Sequence, residues 1–404
     1  MELQEKGIDV VVAGHVCLDI TPAFGLNKSL DINKVFRPGK LTNIDGVYMV
    51  AAGAVPNVSV SLDILGVDTL SIGKIGKDLF GKGIVDYLKQ KNVKVNMIEV
   101  EEESTSYTIV ISLPETDRIF LHDPGVNDTF TASDIDYDIV GQAKLFHFGY
   151  PPLMKKMYIN NSNELVEIFS RIKEMGVITS LDMSYTEPMS DSGKANWADI
   201  LKQVLPYVDI FLPSVEEILY MVKPEYFHYL NDNAKKGSNI LDNLDINVLQ
   251  ELGEILLGYG SNIVAIKCGT KGYYIQTQPM KIFEKIKWGI PLDIKNWSGR
   301  EMIVETYDVI GIKSTTGAGD ASIAGFLTGF LNEKSIEDTV RIANAVATQS
   351  ITGDDVFSNI KSFNATCQYI KSTIPRLKLD IEGDYWKYDK NQEVWKGEKD
   401  SSSC

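Results

Sequence analysis

The chain has 404 residues and a formal net charge of −15, from 40 Lys and Arg against 55 Asp and Glu. An acidic chain lacks the basic surface that nucleic acids and anionic membranes require, so we expect neither as a partner. Its length excludes a disulfide-stabilised mini-protein, and its 44% hydrophobic and 24% charged residues are typical of a globular protein. The length fits two or three domains, or one large α/β domain.

The cysteines and histidines predict neither a disulfide framework nor a zinc site. No two of Cys17, Cys268, Cys367 and Cys404 form a CxxC pair, and the histidines lack the spacing of zinc ligands. Residues 1–6 are polar, unlike a signal peptide, and no run approaches the ~20 apolar residues that a membrane-spanning helix needs. We therefore expect a reduced, cytoplasmic protein.

Short apolar runs rich in β-branched residues begin at residues 8–14 and recur along the chain. We interpret similar runs as strands at residues 69–73, 145–149, 178–182, 210–212 and 263–266. Runs without polar alternation are typical of strands buried on both faces of a parallel sheet. Amphipathic helical stretches such as residues 163–172 lie between several of them. This alternation predicts βαβ units and a mostly parallel sheet.

Two segments interrupt the alternation of strands and helices. Residues 20–52 are rich in turn formers, and residues 104–122 resemble a hairpin with its turn at residues 114–117. Together they are expected to form a small antiparallel unit outside the main sheet. Polar insertions lie at about 224–246 and 278–306.

The last part of the chain, residues 376–404, is rich in charged residues and contains Trp386 and Trp395. We interpret it as a charged C-terminal tail that its aromatic side chains partly order. Residues 1–375 then form a single large domain that carries the two insertions.

The segment most informative about chemistry is residues 313–320, with the sequence KSTTGAGD. It follows residues 304–310, which we interpret as a strand, and precedes an apolar face with helical spacing at residues 323–331. Two glycines separated by a small residue at a helix start let backbone amides converge on an anion. Asp320 could accept a proton from an attacking hydroxyl there. The simpler alternative is a turn with Asp320 as the helix N-cap.

With a second motif, this segment resembles the ribokinase-like (PfkB) family of carbohydrate kinases, in which DTxGAGD opens the helix of the anion hole. Residues 52–66 (AGAVPNVSVSLDILG) resemble the family's GGxxxNxAxxxxxLG, and residues 71–81 (SIGKIGKDLFG) resemble its iGkvGxDxfG run. The resemblance covers roughly residues 8–355. It implies a three-layer α/β/α sandwich with a mostly parallel sheet, and a small β-rich lid from about 20–52 and 104–122.

The resemblance also implies roles around the phosphoryl acceptor. Asp320 matches the catalytic base, and the three residues before it match the anion hole: Gly317, Ala318 and Gly319. Three others match substrate contacts: Asp19, Gly53 and Asn57. A carboxylate and an amide suit sugar hydroxyls, which both donate and accept hydrogen bonds. The alternatives are a turn carboxylate at Asp19 and a helix cap at Asn57.

On the nucleotide side, residues 213–217 (PSVEE) resemble the family's NxxE motif, which organises Mg²⁺ through water. Glu217 fits this motif, whereas Ser214 replaces its Asn. Residues 267–272 match the T-x-G-x-x-G nucleotide loop at Gly269 and Gly272, with Lys267 where Thr is usual, and Asn344 falls at an adenine-side position. The alternatives are a helix N-cap for Ser214, with acidic residues in the first turn, and an ordinary polar helix residue for Asn344. Ser314 replaces the signature Asp, so we do not predict potassium dependence, and monovalent-cation dependence stays open.

These assignments imply a kinase that uses ATP and Mg²⁺ to phosphorylate a hydroxyl of a sugar or sugar-like molecule. The alternatives are a nucleoside kinase of the same fold, and a non-catalytic sugar- or nucleotide-binding regulator. Because lids in this family often pair, we expect a homodimer through the lid. The net charge of −15 does not conflict with ATP binding if helix amides and Mg²⁺ hold the phosphates.

Overall fold

The computed structural model describes residues 7–24, 32–113, 118–234, 240–381 and 385–403. The predicted hairpin turn at 114–117 and Cys404 lie outside these residues, as do parts of the predicted lid, the first insertion and the tail.

Within the described residues, the strands are β1 (Ile8–Gly14), β2 (Cys17–Ala23), β3 (Gly46–Ala52), β4 (Thr69–Gly76), β5 (Lys94–Val100), β6 (Tyr107–Ile111), β7 (Ile119–Asp123), β8 (Ala143–Gly149), β9 (Ile178–Leu181), β10 (Ile210–Phe211), β11 (Ile263–Lys267), β12 (Tyr273–Thr277), β13 (Glu301–Val304), β14 (Lys387–Asp389) and β15 (Val394–Lys396). The helices are α1 (Ile32–Val35), α2 (Ala54–Ile64), α3 (Leu79–Gln90), α4 (Tyr137–Val140), α5 (Asn163–Glu174), α6 (Trp197–Val204), α7 (Val215–Val222), α8 (Pro224–Asn233), α9 (Asn247–Gly258), α10 (Met280–Phe283), α11 (Ile294–Trp297), α12 (Ala318–Leu331), α13 (Ile336–Ile351) and α14 (Phe363–Tyr369).

The central sheet has the strand order β14-β15-β13-β12-β11-β10-β9-β8-β1-β4-β5. Its pairs from β11 through β10, β9, β8, β1 and β4 to β5 are parallel. The pairs from β11 towards β14 are antiparallel. The predicted mostly parallel sheet is confirmed, and the carboxyl ends of its parallel strands meet at one edge, where α/β proteins bind ligands.

Both faces of the central sheet are buried, as the uniformly apolar strands predict. Val11 and Ala13 of β1 belong to one hydrophobic core, whereas Val10 and Val12 belong to another. Because successive side chains of a strand point to opposite faces, these two cores lie on opposite sides of the sheet. Helices cover each side, which gives the three expected layers.

A separate small sheet has the strand order β3-β2-β6-β7. Its strands come largely from the two segments predicted to form a small β-rich unit, so the separate small sheet is confirmed, although β2 begins at Cys17. The prediction that this unit is antiparallel is wrong for one pair of strands, because β2 and β6 are parallel. β2 pairs antiparallel with β3 and parallel with β6, which brings both segments into one sheet.

The segment after residue 375 is not a tail outside the domain, which corrects the sequence-based interpretation. β15 pairs with β13 through Met302 and Lys396, and β14 pairs with β15. Beyond the strands, Asp400 is buried and accepts a hydrogen bond of 3.0 Å from the buried Arg300. A segment rich in charged residues can pair at the edge of a sheet because only a few of its side chains have to be buried, while most of the charged ones remain in solvent.

The strand expected at residues 304–310 is also displaced. β13 covers Glu301–Val304 and lies largely within the predicted second insertion. After it, Tyr307 makes only an isolated bridge with Arg376, and the side chain of Ile310 is 99% exposed. The apolar residues between 304 and 310 therefore did not indicate a strand, because those after β13 line a cavity or face solvent.

Candidate active site

The loop before α12 turns sharply at Gly317, which is the N-cap of the helix with φ of +75°. A side chain there would come within 2.7 Å of Val356, so both the backbone and the neighbouring side chain require glycine. The Ala318 N–H donates to the Thr315 carbonyl. In the first turn of a helix the next amides have no intrahelical acceptor, so the N–H groups of Gly319 and Asp320 are available to an anion.

Asp320 lies in this first turn with only 1% of its surface exposed. Asn57 Nδ2 donates to its Oδ2 at 2.8 Å, and the Tyr150 hydroxyl lies 2.8 Å from both carboxylate oxygens. Burial raises the pKa of Asp320 to about 6, although Asn57, Tyr150 and the charge of Lys267 each lower it. A carboxylate with a pKa near neutrality is suited to accept a proton in a reaction at physiological pH.

Tyr150, which sequence reasoning missed, follows the carboxyl end of β8 and has a left-handed backbone with φ of +63°. Burial and the charge of Asp320 raise the pKa of its phenol well above the usual value. The phenol therefore stays protonated and donates to Asp320, next to the place that an acceptor hydroxyl needs to reach.

His15 is a second missed residue, and it follows the carboxyl end of β1. The side chain is 2% exposed, and neither ring nitrogen has a hydrogen-bond partner among the described residues. Burial, and then His122, lower the pKa of His15 to about 3, so the imidazole is neutral. Gly53, with φ of +94°, packs on this ring, because a Cβ there would lie 2.5 Å from Nδ1.

A chain of contacts joins Asp19 to Asp320. The ring of His15 lies 6.2 Å from the ring of Tyr150 and 5.5 Å from that of His122. His122 Nδ1 is 3.0 Å from the Thr108 hydroxyl, which also hydrogen-bonds Asp19. Burial raises the pKa of the half-buried Asp19.

The acceptor-side residues Asp19, Gly53 and Asn57 therefore lie in one site with Asp320. We call this set, with His15 and Tyr150, the acceptor pocket.

Lys267 and Asp182 form a buried ion pair near Gly319, with 2.6 Å between Lys267 Nζ and Asp182 Oδ1. Burial alone would lower the pKa of Lys267, but Asp182 and Glu217 raise it, so the ammonium remains charged. A Cβ on Gly319 would be 3.8 Å from Lys267 Nζ. Lys267, which stands where Thr is usual, thus places a fixed cation beside the start of α12.

Ser214 and Glu217 form a reciprocal capping box at the start of α7. The Ser214 N–H donates to Glu217 Oε2 at 2.7 Å. The helix-capping alternative for these two residues is therefore present. The second carboxylate oxygen of Glu217 takes no part in this hydrogen bond. Glu217 also interacts electrostatically with both Lys267 and Asp320.

A cavity of about 500 Å³ is lined by Gly319, the residue before Asp320, whereas Asp320 itself does not line it. Among its lining residues are these predicted positions: Ser214, Lys267, Gly269, Gly272, Ala318, Gly319 and Asn344. Its volume is within the range of small-ligand pockets. Asn344 already donates to the Val304 and Glu305 carbonyls, so its amide also holds the cavity wall in place.

The described residues contain no cluster of three or more His, Cys, Asp or Glu side chains placed to hold a metal ion. Asp182, Glu217 and Asp320 nevertheless influence one another electrostatically beside the cavity. Mg²⁺ commonly keeps several waters and binds through one or two carboxylates and substrate phosphates. This set of residues fits such a water-mediated magnesium site and does not fit an all-protein cage.

The profile of the pfkB family carbohydrate kinases matches residues 10–360 of the chain. The chain belongs to this family. An uncharacterised sugar kinase of Archaeoglobus fulgidus is 28% identical over 293 residues, covering 72% of this chain and 94% of that protein. A 5-dehydro-2-deoxygluconokinase of Clostridium botulinum is 23% identical over 372 residues, covering 91% of this chain and 94% of that protein.

The fold is also similar to that of solved structures. Arabidopsis thaliana ribokinase complexed with ribose and ATP has a TM-score of 0.66 and 18% identity, with 91% of this chain and 99% of that chain covered. This confirms the predicted ribokinase-like fold. As a member of its family, the protein is a sugar kinase, a phosphotransferase that uses ATP. In the described part of the chain, no helix is long and apolar enough to cross a membrane.

Proposed function

We propose that the protein transfers the γ-phosphoryl group of ATP to a hydroxyl of a neutral sugar, with Asp320 as the base. The observation that carries this proposal is the position of Asp320. It is buried at the helix start and hydrogen-bonded to Asn57 and Tyr150 of the acceptor pocket, and the residue before it, Gly319, lines the cavity of about 500 Å³. A sugar on one side and a nucleotide on the other would meet at this carboxylate.

The charges of the acceptor pocket favour a neutral sugar. Asp19 is a carboxylate, and His15 is neutral because burial lowers its pKa to about 3. The nearby cation, Arg118 of the small sheet, donates to the hydroxyls of Ser314 and Thr316, at 2.8 Å in the case of Ser314. A sugar phosphate would bring negative charge towards Asp19, and the residues that define the acceptor pocket include no cation to offset it.

In the reaction, the acceptor hydroxyl gives its proton to Asp320 as its oxygen attacks the γ-phosphorus and the bond to ADP breaks. The amides of Gly319 and Asp320 would stabilise the charge on the transferring group, and Lys267 adds a fixed positive charge nearby. Glu217 and Asp182 would hold Mg²⁺ through water, and the bound ion would neutralise charge on the phosphates. The small sheet would act as the lid that excludes water.

The test is an ADP-release assay across four acceptor classes: neutral sugars, sugar phosphates, sugar acids and nucleosides. We expect the highest kcat/KM with a neutral sugar, together with a phosphorylated sugar product. Higher kcat/KM for a sugar phosphate or a nucleoside would contradict the acceptor assignment. Binding of sugar and ADP without turnover by any class would instead support a non-catalytic regulator.

The small sheet also supports the proposal of a homodimer. Large apolar side chains are exposed on its β3 and β7 strands, including Tyr48, Met49, Phe120 and Leu121. Contiguous exposed apolar residues commonly mark protein interfaces. Light scattering should give twice the chain mass, and Phe120→Asp should give the monomer mass. A monomeric wild-type protein would contradict this assembly.

A further inference from the structure

Residues 375–379, which we call the C-terminal strap, run beside the segment that follows β13. The Asp308 N–H donates to the Pro375 carbonyl at 2.8 Å, and the Leu377 N–H donates to the Thr306 carbonyl at 2.9 Å. The Leu379 N–H donates to Glu305 Oε1 at 2.8 Å. The strap is therefore held by two backbone–backbone hydrogen bonds and by one hydrogen bond to a side chain.

Neighbouring residues of the strap have different environments. Leu377 lines the cavity that opens beside Gly319. Arg376 instead forms an ion pair of 2.7 Å with Glu393, immediately before β15. In an extended segment successive side chains point in opposite directions, so this arrangement directs Leu377 into the cavity while Arg376 anchors the strap to the terminal strands.

A second anchor links the strap to the same strands. Trp395 of β15 donates from Nε1 to Glu305 Oε1 at 3.2 Å, the oxygen that also accepts from Leu379. The family match ends at residue 360, so the strap lies beyond it. A segment outside the family match thus forms one wall of a cavity whose other walls carry the family's nucleotide motifs.

The lining of the cavity combines aliphatic side chains, Leu377 among them, with Lys267 and the backbone of Gly319. Seven aliphatic side chains line the cavity: Leu241, Val309, Ile312, Ala318, Ala347, Ile351 and Leu377. Amides and an ammonium suit phosphates, whereas aliphatic walls suit the flat, largely apolar faces of a nucleobase. A nucleotide whose phosphates lie beside Lys267 and Gly319 would pack its base against aliphatic residues of this lining, and Leu377 is one of them.

We propose that the C-terminal strap is part of the nucleotide site, with Leu377 packing against the base of the phosphoryl donor. This inference rests on the donor side of the proposed function. The proposal assigns a ligand contact to a segment whose charged composition had predicted a tail.

Calorimetry with ADP and with inorganic tripolyphosphate tests the proposal. Leu377→Ala removes most of one aliphatic wall, and we expect ADP to bind about tenfold more weakly. Tripolyphosphate, which has no base, should bind the variant and the wild type equally. Leu377→Met should restore most of the ADP affinity.

The matched control is Leu379→Ala, which truncates a strap leucine that packs against the hydrophobic core and does not line the cavity. It should lower the melting temperature and leave ADP affinity within about twofold of the wild type. Unchanged ADP affinity in folded Leu377→Ala, or an equal loss in Leu379→Ala, would overturn the proposal. If ADP binding depends on Leu377 but no sugar is phosphorylated, the strap assignment stands and the proposed reaction fails.

Discussion

The two sides of Asp320 are built in different ways. The proposed donor side consists of short sequence motifs, residues 267–272 and 313–320, which contribute several residues to the lining of the cavity. The acceptor pocket is assembled from single side chains on separate elements, among them His15, Asn57 and Tyr150. A donor common to a family can be held by repeated backbone geometry, whereas acceptor choice depends on individual side chains.

Apart from removal of the base itself, the largest loss of activity is expected from removal of the donor-side cation, Lys267. Lys267→Met leaves the buried Asp182 without its partner, which should cost about 3–5 kcal/mol of stability. Because the variant also removes positive charge beside the phosphates, kcat should fall about 100-fold or more. Thermal unfolding and steady-state kinetics measure the two effects.

Lys173→Met is the control for Lys267→Met, because Lys173 pairs with the buried Asp209 away from the cavity. It should lower stability and leave kcat close to the wild-type value. The double variant Lys267→Met, Asp182→Asn should recover stability without recovering activity. Recovery of both would show that Lys267 has only a structural role.

A smaller effect is expected on the acceptor side from Gly53→Ala. The new Cβ would clash with His15 Nδ1 and strain a backbone with φ of +94°. We expect the KM for the sugar to rise about tenfold, with ADP affinity unchanged. Gly66→Ala is the matched control, because Gly66 has a φ of +86° at the other end of α2 and a methyl group there would meet no non-neighbouring described atom within 4 Å. An equal rise in KM for both variants would assign the effect to strain alone.

Tyr150→Phe should shift the pH dependence of the reaction. The phenol lowers the pKa of Asp320 by donating to its carboxylate, so its removal should raise that pKa. The base works deprotonated, and the acid limb of kcat/KM should therefore move by about one unit to higher pH. Tyr220→Phe, which removes a hydrogen bond to the Gly193 carbonyl, should leave the profile unchanged. An unshifted profile for Tyr150→Phe would separate Tyr150 from the base.

The smallest predicted effect is on stability. Burial raises the pKa of Asp320 from 3.8 to about 6, so the charged carboxylate destabilises the folded state. The stability present below pH 4 is lost as pH rises through 6, and Asp320→Asn should avoid this loss. The variant should be more stable at pH 7.5 by about 1–3 kcal/mol and differ least near pH 4. A constant difference across this range would contradict the raised pKa.

Several residues of the predicted donor motifs line one cavity, because neighbours along the chain define each loop and helix start, and their role in binding a donor stays a prediction. The sequence did not predict His15 and Tyr150, since one aromatic residue after a strand has no distinctive spacing. A weak signal was available. Both residues directly follow Gly14 and Gly149, which are partners in the parallel pair of β1 and β8. Leu377 was missed for another reason, because the surrounding charges concealed the few residues that pack.

Single-turnover phosphorylation of the best neutral sugar by Asp320→Asn tests the central claim most directly. The account predicts a rate at least about 1,000-fold below that of the wild type, because no base takes the hydroxyl proton. ADP affinity should stay within about twofold, since the helix amides remain in place. Asp338→Asn, in the first turn of α13, is the control and should retain full activity. A wild-type rate for Asp320→Asn would contradict the assignment of the base.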